Sequence, residues 1–325
     1  MLRRTVLAAP LVALLATAGC RAAVRTDLRV MVPNAPGSGY DITARTVATA
    51  LDTSQVQRGV EVFNLPGAGG MVGLRRMVYE RGNGELMMLM GLGLVGAQHT
   101  SPTSATLNDV TPIARLIEEP EVVVVTRDSP IRTLAELVRE WQADPAKLAV
   151  GGGSSPGGPD HLAPMLMAKA VGIAPSTVRY VQFDGGGALL AAILSKRVAF
   201  AVSSLGEYAD QIDSGQLRVL AVTSRARAEG VDTPTLQEAG VDVVFANWRG
   251  LIAPPGLSTE DEQRLRDVVA RLHASASWRE AIAGHRWTDT YLEGVAFGTF
   301  LREEDTRVTQ ILDELGLNGS PQSPS

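Results

Sequence analysis

Short apolar runs rich in β-branched residues alternate along the chain with stretches whose apolar residues recur every three to four positions. The runs Arg29–Val32, Val60–Asn64, Glu85–Leu89, Val122–Thr126, Lys147–Val150, Val178–Val181, Ala199–Ser203 and Arg218–Val222 read as strands. Between most of them lie helical patterns, clearest at Ile42–Ser54, Thr133–Trp141, His161–Val171, Ala188–Lys196, Thr259–Ser275 and Glu293–Leu315. Strands that alternate with helices of ten or more residues imply parallel sheets with right-handed crossovers, so the expected class is α/β. Two strands, Val122–Thr126 going out and Val243–Leu251 coming back, are bracketed by turns rich in Pro or Gly. They are the expected crossings between two domains, one built from residues 27–122 plus 250–325 and the other from 123–249.

The first twenty residues break this rhythm. Arg3 and Arg4 precede an apolar stretch from Val6 to Ala18, which ends in the small residues Thr17-Ala18-Gly19 before Cys20. A bilayer-spanning helix needs roughly 20 apolar residues, and this stretch is shorter and contains Pro10. Residues 1–20 are therefore expected to be an export signal that is cleaved. Cys20 is the sole cysteine, which excludes an internal disulfide and a thiolate zinc cluster. Lipid attachment at Cys20 explains an exported lone thiol at that junction, and the expected location is extracytoplasmic with a lipid anchor in the membrane.

Removing Arg3 and Arg4 takes 30 basic side chains to 28 against 35 acidic ones, a formal charge of −7. A nucleic-acid partner is not expected from that balance. With 45% apolar residues the remaining chain can bury a large core.

The candidate chemistry lies in glycine-rich segments that follow the strands: Pro36-Gly37-Ser38-Gly39, Pro66-Gly67-Ala68-Gly69-Gly70, Gly91-Leu92-Gly93, Gly151 to Gly158, and Gly185-Gly186-Gly187. In an open α/β sheet these positions fall at helix N-termini, whose free N–H groups and partial positive charge suit anions. Two enzyme motifs overlap the same segments. Gly91-Leu92-Gly93-Leu94-Val95-Gly96 fits the dinucleotide fingerprint, but Gln98 to Pro102 reads as a loop where that fingerprint needs a long helix. Gly153-Ser154-Ser155-Pro156-Gly157 fits the nucleophile elbow, and a secreted serine hydrolase using Ser155 is the rival reading. Against it, the residue after the serine is Pro156, which has no N–H to give an oxyanion hole. The histidines His99, His161, His273 and His285 have no ligand spacing with one another or with a thiol, so no metal site is expected.

The segment Val32-Pro33-Asn34-Ala35-Pro36-Gly37-Ser38-Gly39-Tyr40-Asp41 with Ala44-Arg45, then Asn64-Leu65-Pro66-Gly67-Ala68-Gly69-Gly70, carries a family resemblance. The likeness continues through Gly153–Gly158 with Asp160-His161, Asp232–Leu236 and Trp248-Arg249-Gly250-Leu251. In these motifs the chain resembles the substrate-binding components of tripartite tricarboxylate transporters. The resemblance implies a two-domain periplasmic-binding-protein fold of the type II, Venus-flytrap kind, with parallel-rich sheets and the ligand cleft between domains. It also implies a monomer without cofactor or catalytic residues, delivering a small carboxylate, citrate by first choice, to membrane permease subunits. A carboxylate receptor serving a sensor is the remaining alternative. Carried over by position, the ligand contacts fall on Asn34, Pro36, Gly37, Ser38, Gly39, Asp41, Gly93, Ser154, Ser155, Gly157, His161, Gly185, Ser203 and Arg249. Physical chemistry adds that Arg249 can give a carboxylate two parallel hydrogen bonds, while Asp41 suits a helix cap.

Overall fold

A computed structural model describes residues 28–101 and 104–317. The expected signal segment 1–20, with Cys20, lies outside the described residues. No helix among the described residues is long and apolar enough to cross a membrane.

The first part of the chain alternates strictly: β1 (Arg29–Val32), α1 (Gly39–Thr53), β2 (Glu61–Asn64), α2 (Met71–Tyr79), β3 (Leu86–Gly91) and α3 (Leu92–Thr100). The strand β4 (Thr111–Thr126) is followed by α4 (Leu134–Ala143), β5 (Val150–Gly152), α5 (Pro159–Ala170), β6 (Tyr180–Gln182), α6 (Gly186–Leu194), β7 (Phe200–Ser204), α7 (Ala209–Asp213) and β8 (Leu217–Val222). The chain then returns through β9 (Ala246–Ala253) and ends in α8 (Thr259–His273), α9 (Ala276–Gly284), β10 (Thr288–Glu293) and α10 (Gly294–Glu314).

The strand order is β2-β1-β3-β9-β4-β7-β5-β6, with β8 and β10 also paired to β4. The pairings β1–β2, β1–β3, β5–β6 and β5–β7 are parallel, as βαβ crossovers require. The two long central strands run antiparallel to their neighbours. Alternation of side chains sorts the core. In β3, Met87 and Leu89 join the cluster under α1 and α8, while Met88 and Met90 face the opposite cluster with Trp248 and Phe297. In β4, Val123 and Val125 continue that second cluster and Val122 and Val124 turn the other way.

The crossing between sheets has a local cause. Pro120 pairs with Ala246 at the end of one ladder, and Glu121 pairs with Ser204 at the start of the next. Proline lacks the N–H that a continuing ladder would need, so β4 changes partners there. The buried Thr223 ties the outgoing and returning segments together. It accepts from the Glu121 N–H at 2.9 Å and donates to the Phe245 carbonyl at 2.7 Å. The expected outgoing strand, Val122–Thr126, is thus only the last third of a longer element.

Helix ends are set by side chains. Ser38 caps α1 by accepting from the Asp41 N–H, and Thr133 opens α4 with a capping box, its hydroxyl and the Glu136 carboxylate each accepting a backbone N–H at 3.2 Å. Thr133→Ala should cost about 1 kcal/mol of stability, read as a lower denaturation midpoint with an unchanged slope. A change in slope would instead mean that the cap alters the extent of unfolding.

Candidate functional site

The C-terminal ends of β1, β3, β5 and β6 and the returning strand β9 surround a cleft of about 1310 Å³. Its walls are the N-terminal ends of α1 (Ser38, Gly39) and α6 (Gly185), the loop Gly153–Pro156, and the turn Pro66–Gly70. Its floor is Asn247, Arg249 and Glu207. Glycine is needed at two of these corners, since Gly185 takes φ +84° as the N-cap of α6 and Gly157 takes φ +85° where its loop turns into α5.

Of the residues expected at the ligand, Asn34, Ser38, Gly39, Gly93, Ser154, Ser155, Gly185 and Arg249 line the cleft. Pro36, Gly37, Asp41, Gly157, His161 and Ser203 do not: Pro36 and Gly37 are exposed, and the other four are buried behind its walls. Asp41 is buried and accepts from the Gly37 N–H at 2.8 Å, Asn64 Nδ2 at 2.9 Å and Arg45 Nε at 2.9 Å, which fixes the loop ahead of α1. His161, 2% exposed, accepts the Gly157 N–H on Nδ1 at 3.1 Å and packs edge-on against Tyr180. Burial pulls its pKa down to about 4, so the ring is neutral and committed to the loop. Ser203 is buried at 1% exposure beside Asp160, whose carboxylate accepts the Gly153 N–H at 2.8 Å.

The enzyme motifs take other roles. Helix α3 starts at Leu92 inside the G-x-G-x-x-G run and stays helical to Thr100, past the predicted break at Gln98. Its glycines pack closely: Gly93 faces the Tyr40 hydroxyl and Gly96 the Gly157 carbonyl. Ser155 accepts from Gln182 Nε2 at 3.2 Å, and the Pro156 carbonyl accepts from Thr100 Oγ1 at 2.8 Å.

Arg249 dominates the floor. It is 2% exposed, forms an ion pair with the buried Glu119, donates to Thr43 Oγ1 at 3.0 Å and Ser204 Oγ at 3.4 Å, and lies 3.9 Å from Glu207 Oε1. Three further carboxyls crowd this arginine's surroundings. Burial, then the Asp160 charge, lifts Glu207 to about 8 despite the opposing pull of Arg249. Burial also raises Asp160, and burial with the charges of Asp160, Glu119 and Glu207 raises Glu121 far above the usual carboxylate range. Four cleft-lining residues keep an unpartnered polar atom: Asn34 Oδ1, Asn247 Oδ1, Arg249 Nε and the Tyr40 hydroxyl. Buried polar groups of this kind usually find a partner, and these can meet the donors and acceptors of a small polar ligand. Among the described residues no group of His, Cys, Asp and Glu is arranged to hold a metal ion.

Tyr40, Asn247 and Glu207 escape the sequence reading. Tyr40 sits between two expected contacts, Gly39 and Asp41, while Glu207 follows β7 in the turn Leu205–Tyr208, whose lone glycine, Gly206, lies outside the glycine-rich segments.

The family described as the tripartite tricarboxylate transporter family receptor matches residues 29–317. Protein BugT of Bordetella pertussis is 26% identical over 318 residues, covering 93% of this chain and 95% of BugT. Among solved structures, MatC of Rhodopseudomonas palustris with bound malate superposes with TM-score 0.77 at 23% identity, over 88% of this chain and 98% of MatC. The R. palustris protein Rpa4515 with adipate gives 0.83 at 22% identity, over 90% and 98%. The α/β periplasmic-binding-protein fold expected from the resemblance is the fold observed. On the match over residues 29–317, this chain belongs to the receptor family of the tripartite tricarboxylate transporters.

Proposed function

We propose that the protein is an extracytoplasmic receptor that captures a small carboxylate in its cleft and passes it to membrane permease subunits. The observation that carries this reading is the meeting of two helix N-termini, those of α1 and α6, across a cleft floored by Arg249. Both helix ends offer N–H groups and partial positive charge to an anion. Citrate is the first choice of ligand. The malate and adipate bound by the two structural relatives add dicarboxylates to the candidates.

The two sheets form the two domains, hinged where β4 and β9 cross at Pro120 and Ala246, and the ligand shifts the population towards the closed form. Cys20 carries the lipid that keeps the receptor at the membrane. Binding, not ester hydrolysis, is favoured because the Ser155 hydroxyl is held by Gln182 and the next residue offers no N–H.

A melting screen of the purified protein, unfolded and refolded to remove bound ligand, tests the reading. At a hundred times its dissociation constant a true ligand adds about 2.7 kcal/mol. Citrate, malate and adipate are the first acids to try, beside an ester panel on Ser155→Ala. No shift with any acid, together with ester turnover lost in Ser155→Ala, would overturn the receptor reading.

A further inference from the structure

The Glu207 carboxyl occupies the place where the two helix N-termini meet. Residues Leu205–Tyr208 form a single tight turn after β7 that carries Glu207 into the cleft, its side chain 13% exposed. A Cβ on Gly39, the first residue of α1, would collide with Glu207 Oε1 and with Arg249 Nη2. A Cβ on Gly186, the first residue of α6, would collide with Glu207 Oε2. The carboxyl therefore bridges both walls of the cleft and borders the arginine most suited to a ligand carboxylate. Tyr40 and Asn247, 8% and 3% exposed, hold unpartnered polar atoms in the same cleft, so groups remain there to receive a ligand.

An ionised Glu207 in that seat repels an anion, whereas a protonated one can donate a hydrogen bond to it. We propose that Glu207 sets the charge this cleft accepts: a ligand carboxylate is admitted beside Arg249 only together with a proton on Glu207. The proton comes from solvent and stays on the Glu207 carboxyl, and no other bond changes. This inference rests on the carboxylate reading above.

The groups around Glu207 all bear on its proton. Asp160 on α5, Glu119 and Glu121 on β4, and the neighbouring Tyr208 face it, and Arg249 on β9 is the cation. With the carboxyl lifted to about 8, the competent, protonated form predominates at pH 7 and is a small minority at pH 9. Apparent affinity scales with the competent fraction, so it should fall about tenfold between those two values.

Calorimetry with malate and adipate, both fully ionised over this range, reads the effect. In the wild-type protein, binding should weaken about tenfold from pH 7 to pH 9, and in Glu207→Gln it should stay level. Titrations in two buffers of different ionisation enthalpy count the protons in the wild-type protein itself, close to one per ligand at pH 9 and about a tenth at pH 7. Binding with the same pH profile in both proteins, or with no proton taken up at pH 9, overturns the inference and leaves the carboxylate reading standing. Silence from malate, adipate and citrate in the wild-type protein at both pH values overturns the carboxylate reading, and the inference falls with it.

Discussion

Arg249→Met is expected to destabilise the folded protein by about 3–5 kcal/mol, the usual cost of leaving one member of a buried ion pair alone. Glu119 is 1% exposed and Arg249 2%, so water cannot replace the lost partner. The surrounding carboxyls make the loss worse: Asp160, Glu121 and Glu207 lie close enough to perturb one another, and Arg249 is the cation that offsets Glu207 and pairs with Glu119. For a protein of this size the change corresponds to a melting temperature lower by roughly 6–10 °C. Glu119→Gln in the same chain should restore much of the loss, because the charge that needed compensation is gone. A penalty below about 1 kcal/mol for Arg249→Met alone would mean that the pair is solvated and that the floor of the cleft is open. The double variant also separates two roles of Arg249. If Glu119→Gln with Arg249→Met folds well and still fails to bind, the guanidinium contacts ligand; if it binds, the arginine is a scaffold.

The sequence makes the outer βαβ units legible and leaves the centre obscure, for reasons visible in particular elements. Strand β1 matches its predicted span, and β3, β5 and β7 are displaced by one to three residues. Their apolar runs are bounded by turns and buried on both faces, so period and composition agree. The first two thirds of β4 were missed because Thr111–Glu121 contains Pro112, Pro120 and the charged residues Arg115, Glu118, Glu119 and Glu121. Those charges are tolerated in a central strand through partners distant in sequence or on the same strand: Arg249 pairs with Glu119, and Arg115 pairs with Glu118 and lies over the Phe300 ring. Strand β10, with only half-buried and exposed residues, shows no alternation to find. Helix α3 runs on to Thr100 although Gln98–Pro102, with its Ser, Thr and Pro, reads locally as a loop, and its glycines serve a close approach by Gly157 that only the fold supplies. The same distinction governs the site. Glycine loops announced the walls, whereas Glu207 and Asn247 act through burial and through neighbours that only the fold supplies.

Gly96→Ala should cut ligand affinity at least tenfold while leaving helix α3 intact. A Cβ at Gly96 would collide with the carbonyl of Gly157 and lie 3.0 Å from its Cα. The Gly157 peptide cannot swing aside freely, because its N–H is held by His161 and the residue already takes φ +85°. The strain must therefore be relieved by separating α3 from the loop Gly153–Gly158. That separation also breaks the hydrogen bond from Thr100 to the Pro156 carbonyl and draws Ser154 and Ser155 away from the cleft. The helix itself works in the opposite direction, since alanine is favoured over glycine in a helix interior by about 1 kcal/mol. A loss of binding in this variant consequently reports on the contact across the cleft and not on a broken helix. If closure brings these two segments together, a closed population reduced to a tenth lowers the apparent affinity tenfold. Solution scattering should show a larger radius of gyration for the variant at saturating ligand. An unchanged radius with unchanged affinity would mean that the loop yields locally, and that the approach of Gly157 to Gly96 has no part in closing the cleft.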